Sequence, residues 1–174
     1  MTSLTEFWHW LADTQGSIAL HESIWVYPIV ESIHVLTLCV FLGLTVMVDL
    51  RLLGATIGSS PASQLIRRFM PWMIAGFVVM VATGALLFYA DPVRTYFNIF
   101  FRLKLIFLVM AGLNAASFHV MASRTIPQWD LDPKPPMSAR LAGGLSLALW
   151  AAIVVCGRMI AYHWFDKDLA SIAG

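Results

Sequence analysis

The chain predicts an all-α fold, an integral-membrane, up-down four-helix bundle preceded by a short amphipathic helix, and three observations carry that expectation. Hydrophobic residues make up 59% of its 174 residues against 12% charged, with a mean hydropathy of +0.76, well outside the range of soluble domains. The apolar residues gather in stretches at 23–53, 69–90, 100–122 and 141–164, each long enough to cross a hydrocarbon layer of about 30 Å, which takes about 20 helical residues. The connections are short or proline-rich, which sets neighbouring spans antiparallel. No internal repeat is visible, and a single membrane domain over 1–174 follows.

Ahead of the first span, Leu4, Phe7, Trp8 and Leu11 recur at helical spacing opposite Glu6, His9 and Asp13. That pattern reads as an interfacial helix over 3–14, with Trp8 and Trp10 at the headgroup level. The segment has neither the basic start nor the continuous apolar run of a cleaved leader. The first span is longer than a crossing needs and contains Pro28, so a bend or an interfacial first turn is expected. Residues 54–64 and 91–98 read as loops. Trp72 behind Pro71 reads as an interfacial anchor at the start of the second span. The third connection, 124–138, holds Pro127, Pro133, Pro135 and Pro136 and reads as an extended surface loop.

Fixed positive charge orients the bundle. Arg51, Arg67, Arg68, Arg124, Lys134 and Arg140 flank one side, against Arg94 and Lys167 on the other. The first side is expected to be cytoplasmic, with both termini outside. Cys39 and Cys156 lie within apolar spans and read as small hydrophobes. The methionines are scattered as core filler.

Polar residues inside a membrane face protein or do chemistry. Tyr27, Glu31, His34, Thr45 and Asp49 form one stripe of the first span. Counting helical rise, His34 stands seventeen residues above Arg51, about 25 Å, whereas His119 stands five residues from Arg124, about 7 Å. The two cannot clamp one metal from opposite sides. His163 comes out at about 35 Å above Arg140, so pairing it with His34 or His21 needs tilt. The same counting gathers Glu31, His34, Arg102, Lys104, Arg158 and Tyr162 in the outer half. Glu31 and His34, three residues apart, are the candidate metal-ligating pair. A haem is the better chemical match, with His34 as axial ligand, His119 or His163 as further candidates, and Arg102, Lys104 or Arg158 neutralising propionates. Gly84 and Gly157 at that level would leave room for a flat ring. The structural alternatives are a hydrogen-bonded histidine and a Glu31 paired with Lys104 or Arg158. His9 and His21 read as surface residues, and Arg67 and Arg68 as a cluster meeting anionic lipid.

The stretches IHVLTLCVFLGLTVMVDLRLLG (33–54), PWMIAGFVVMVATGALLF (71–88), FRLKLIFLVMAGLNAASFH (101–119) and SLALWAAIVVCGRMIAY (146–162) resemble, in that order, a bacterial family of uncharacterised four-span inner-membrane proteins. That family is distantly similar to CopD-type and cytochrome b561-type membrane bundles. The resemblance implies a bacterial inner-membrane location, association with haem or metal, and roles for His34, Arg51, Arg102, Lys104, Asn114, His119, Arg158 and Tyr162. The chain lacks the two matched histidine pairs of the cytochrome b561 type, which argues against a transmembrane wire of two haems.

Three functions are then expected, in this order. One is electron transfer through a single b-type haem near the outer face, with a quinone or a periplasmic redox partner. The second is a cofactor-free accessory or anchor subunit of a larger membrane complex or homo-oligomer. The third is a metal or proton permease lined by Glu31, His34, Asp49, Asn114 and His119, which Lys104 and Arg158 would oppose. An independent enzyme is less expected, for no nucleophile–base set, phosphate loop or zinc-ligand set is present. A net charge of +1 speaks against nucleic-acid binding.

Overall fold

The computed structural model describes residues 3–55, 61–132 and 134–162, with only the backbone path for Ser3, Leu4 and 122–124. Among the described residues seven helices follow one another: α1 (Ser3–Ala12), α2 (Gln15–His21), α3 (Val26–Leu53), α4 (Ala62–Ala90), α5 (Pro92–Phe97), α6 (Ile99–Trp129) and α7 (Met137–Ile160). Four of them, α3, α4, α6 and α7, are long and apolar enough to cross a membrane, α6 over Ile99–Met121. Packing runs in the order α4, α3, α7, α6, while α4 and α6 at the two ends of this row barely touch. The end carrying α1, α2 and α5 is termed upper here, and the end carrying Arg51 and Arg140 lower.

Each boundary has a local cause. The Ser23 hydroxyl accepts from the Val26 N–H at 2.9 Å, starting α3 two residues before Pro28. The proline therefore sits in the first turn, where no helical donor is lost, and the expected bend is not needed. Gly54 ends α3 at φ 71°, donating to the Arg51 carbonyl; this left-handed closure suits glycine alone among common residues. Asn98 caps α6 by accepting from Phe100 N–H at 2.9 Å.

Several expectations from the sequence are corrected. The N-terminal segment is two helices, because Thr14 accepts from Ser17 N–H and donates to Leu11 O, closing one and opening the next. Trp10 is exposed, but Trp8 turns inward onto Phe88 and Tyr96 at 5.3 and 5.0 Å. The segment is bound to the top of α4: Thr14 Oγ1 meets Tyr89 Oη at 2.8 Å and Ser17 Oγ donates to Tyr89 O at 2.7 Å. A Cβ on Gly16 would stand 2.6 Å from Tyr89 Oη, so a larger residue there would push the Tyr89 hydroxyl off Thr14. The 91–98 connection holds the turn of helix α5. The first part of the 124–138 connection is not an extended loop, since α6 continues through Pro127 to Trp129. Likewise α4 begins at Ala62 and runs through Pro71, so that proline does not mark its start.

Those two extensions pack on each other below the spans. Leu52, Ala62, Trp129 and Ala139 form a buried cluster there, and apolar burial outweighs the hydrogen bond each proline removes. The Asp130 carboxylate accepts from Ser63 N–H at 2.7 Å and from Ser63 Oγ at 2.6 Å, supplying the N-terminal cap that Pro61 cannot. Arg51 donates to the carbonyls of Asp130 and Asp132. Partial burial alone would raise the Asp130 carboxyl, but the two Ser63 hydrogen bonds, the Arg51 charge and the Ala62 N–H outweigh it and hold the group below the usual carboxylate range. Higher up, Gly143 brings α7 against α3: a Cβ there would lie 2.9 Å from Asp49 O, the close approach that small residues permit between membrane helices.

Candidate functional site

The α3–α7 contact sets the levels of everything above it. Gly143 faces Asp49, and the two helices run in opposite directions, so His34 comes level with Gly157 and Arg158. The contacts agree with that count. Gly84 on α4 faces His34, its Cβ position lying 3.4 Å from the imidazole Cε1, and Gly157 on α7 faces Lys104 Nζ at 3.7 Å. The Lys104 charge acts on the His34 ring, and Cys156 acts on Lys104. Four helices thus contribute to one level: His34 from α3, Thr83 and Gly84 from α4, Lys104 from α6, Cys156 and Gly157 from α7.

The Thr83 hydroxyl lies 2.7 Å from Val79 O, 3.3 Å from Met80 O and 2.8 Å from His34 Nδ1, and the ring also bonds to the Met80 backbone. When the single hydroxyl proton goes to Val79 O, the shortest of these contacts, Thr83 accepts from His34 Nδ1–H, and a neutral ring in that tautomer keeps its lone pair on Nε2. An orienting hydrogen bond on one ring nitrogen with the other free to ligate or accept is the arrangement of ligand histidines. Thr83 is the residue the sequence reading missed. Its signal was present, a hydroxyl beside Gly84 in a span otherwise apolar at that depth.

Lys104 is half-buried within a span, and among the described residues no carboxylate forms an ion pair with it. A cation left so in hydrocarbon is costly and marks a site. The glycines do not leave open space for a ring as anticipated: the volume at Gly84 is taken by the imidazole and that at Gly157 by the ammonium.

Other candidates are placed elsewhere. Glu31 is exposed and lies beside Tyr27, paired with neither Lys104 nor Arg158. Among the described residues no group of three metal-ligating side chains assembles around Glu31 and His34. Arg102 is exposed, donating to Tyr96 O and lying 5.2 Å over the Tyr96 ring. Arg158 stands 5.2 Å over the exposed Tyr162. Both guanidiniums are exposed, so neither joins His34 and Lys104 in the half-buried interior. His119 is exposed near the lower end of the span in α6, about 30 Å below the helix start at Ile99, far from His34. His163, Lys167 and the end of the predicted fourth span fall outside the described residues.

Between His34 and the lower end the interior closes. Phe41 is buried and packs edge-on to Trp150 at 4.7 Å and against Phe77 at 6.3 Å. Below it Thr45 turns back onto Phe41 O, and Asp49, 4% exposed, bonds Ser146 while its Oδ2 has no partner. Asn114 donates to Ala142 O at 2.9 Å, joining α6 to α7. The buried Phe41 thus lies between His34 and Asp49 along α3.

Comparison with curated proteins and with solved structures finds no match to this chain. A family model matches residues 5–163, which takes in α2 to α7 whole and most of α1. The chain belongs to the family described as a family of unknown function, DUF6644.

Proposed function

We propose that this membrane protein transfers electrons through one b-type haem held at the His34 level. The observation that carries the reading is the orientation of His34: Nδ1 lies 2.8 Å from Thr83 Oγ1, and in the Nδ1–H tautomer Nε2 is left as a ligand. His34 would hold the haem iron, and the bound group would supply one-electron chemistry. Thr83 would fix the ring and raise its basicity, Lys104 would offset propionate charge within the span, and Arg102 and Arg158 would do so at the rim. Any wide opening for a macrocycle has to come from the side where α4 and α6 barely touch.

The test is a reduced-minus-oxidised spectrum with a pyridine haemochrome assay on full-length protein purified in mild detergent from haem-replete cells. A stoichiometric b-type signal that vanishes in His34→Ala is expected. A colourless, iron-free protein would overturn the reading. The second reading, a cofactor-free accessory subunit, is favoured by the filled spaces at Gly84 and Gly157 and by Glu31 and His119 facing out of the chain, where polar groups need a partner or the interface. Its signature is a colourless sample together with one reproducible neighbour captured in cells by a photo-cross-linker at position 119.

A further inference from the structure

The seam between α3 and α7 encloses a group that the His34 level does not use. Asp49 is 4% exposed, and every other acid among the described residues is exposed or half-buried. A carboxylate offers about four acceptor sites, and the surroundings of Asp49 leave them nearly bare. From α7 the Ser146 hydroxyl supplies one hydrogen bond, while Oδ2 has no partner. On α3 the Thr45 hydroxyl, one turn above, donates to Phe41 O, and Arg51, two residues on, donates to the carbonyls of Asp130 and Asp132. Asn114 on α6 is engaged with Ala142 O. The remaining described cations of this end are exposed, Arg67 and Arg68 on α4, Arg140 on α7 and Lys134 in the loop before it. Among the described residues no ion pair involves Asp49. An ionised carboxylate with one neutral donor and no counter-charge is costly in a protein interior, and such a group takes its neutral form instead.

The packing also limits how that form can change. A Cβ on Gly143 would lie 2.9 Å from Asp49 O and 3.0 Å from Leu52 Cβ, so α3 and α7 are in contact beside the carboxyl. Water reaches it when the two helices part.

We propose that Asp49 is a proton-binding site, protonated while α3 and α7 are closed on each other, and that it releases its proton when they part at Gly143. In that step the carboxyl O–H bond breaks, the proton passes to entering water, and the same water hydrates the carboxylate left behind. Closure and proton uptake are then one equilibrium, so lower pH favours the closed seam.

Infrared spectra of full-length protein in detergent at neutral pH, in H2O and in D2O, test the site. The carbonyl stretch of a protonated carboxyl, shifted down in D2O, should be present in the wild type and lost in Asp49→Asn. Ser146→Ala should keep the band and move it to higher frequency. Absence of the band from the wild type, or its persistence in Asp49→Asn, would overturn the proposal. Should Asp49→Asn fail to fold, Ser146→Ala decides, and an unmoved band overturns the assignment. Backbone deuterium uptake over residues 45–53 and 139–147 tests the coupling. Relative to Asp49→Asn at the same pH, the wild type should take up more deuterium at about pH 8 and equal amounts at about pH 5, below which buried and paired carboxyls begin to titrate. A ratio that does not change with pH would overturn it.

Discussion

Two groups of polar residues, Arg51, Ser63 and Asp130 at the lower end and His34 with Lys104 in the upper half, are handled in opposite ways. At the lower end Arg51, Ser63 and Asp130 satisfy one another across three elements, and Gly143 lets α3 and α7 touch through backbone. At the upper end Lys104 is half-buried without an acidic partner and His34 holds a lone pair in reserve. Satisfied networks and close packing raise local stability, whereas groups held for a ligand lower it. The first group is scaffold, and under the proposed function the second is the working part.

The contrast can be broken by substitution. The largest effect is expected for Gly143→Leu: the side chain would collide with the backbone at Asp49, and overpacking of this kind costs about 1–3 kcal/mol or more, read as a fall in thermal midpoint in detergent with loss of folded yield. Asp130→Ala removes the cap on α4 and should cost about 1–2 kcal/mol. Asp130 also makes the lower end acid-sensitive. Its carboxyl is held below the ordinary value near 3.9, so its contribution is complete above that pH and is lost as pH falls through the lower folded value. Asp130→Asn should flatten the dependence of the thermal midpoint on pH below about 4; an unchanged acid limb would remove Asp130 from this role.

At the upper end the sign reverses. Lys104→Met replaces a half-buried cation lacking an acidic partner with an apolar chain of similar length, and should raise the thermal midpoint of the ligand-free protein while weakening cofactor retention. A fall in stability would show Lys104 to be structural. Thr83→Val keeps the shape but removes the acceptor of His34 Nδ1–H, and about 10- to 100-fold weaker cofactor affinity is expected. Glu31→Gln, on an exposed site, should change stability by no more than about 0.5 kcal/mol.

The spans were legible because apolar length is a local property of sequence. So was the shared level of His34, Lys104 and Gly157, because helical rise is regular once four antiparallel spans are granted. Pro71 and Pro127 misled for a common reason: proline punctuation is a local rule, and the packing of Ala62 against Trp129 and Leu52, which overrides it, is made by residues far apart in the chain. Glu31 misled because its exposure depends on how the neighbouring helices pack around α3. Thr83, Ser63 and Asp130 gave little warning, since each acts through one specific partner that only the assembled helices supply.

The tie between the N-terminal segment and Tyr89 bears on biogenesis. Thr14 and Tyr89 are 75 residues apart, and Tyr89 reaches the upper side only after two spans have crossed. At about 5–20 residues per second of synthesis, the amphipathic segment emerges several seconds before its docking site exists. Until then its apolar face has only the lipid surface, or a chaperone, to rest on.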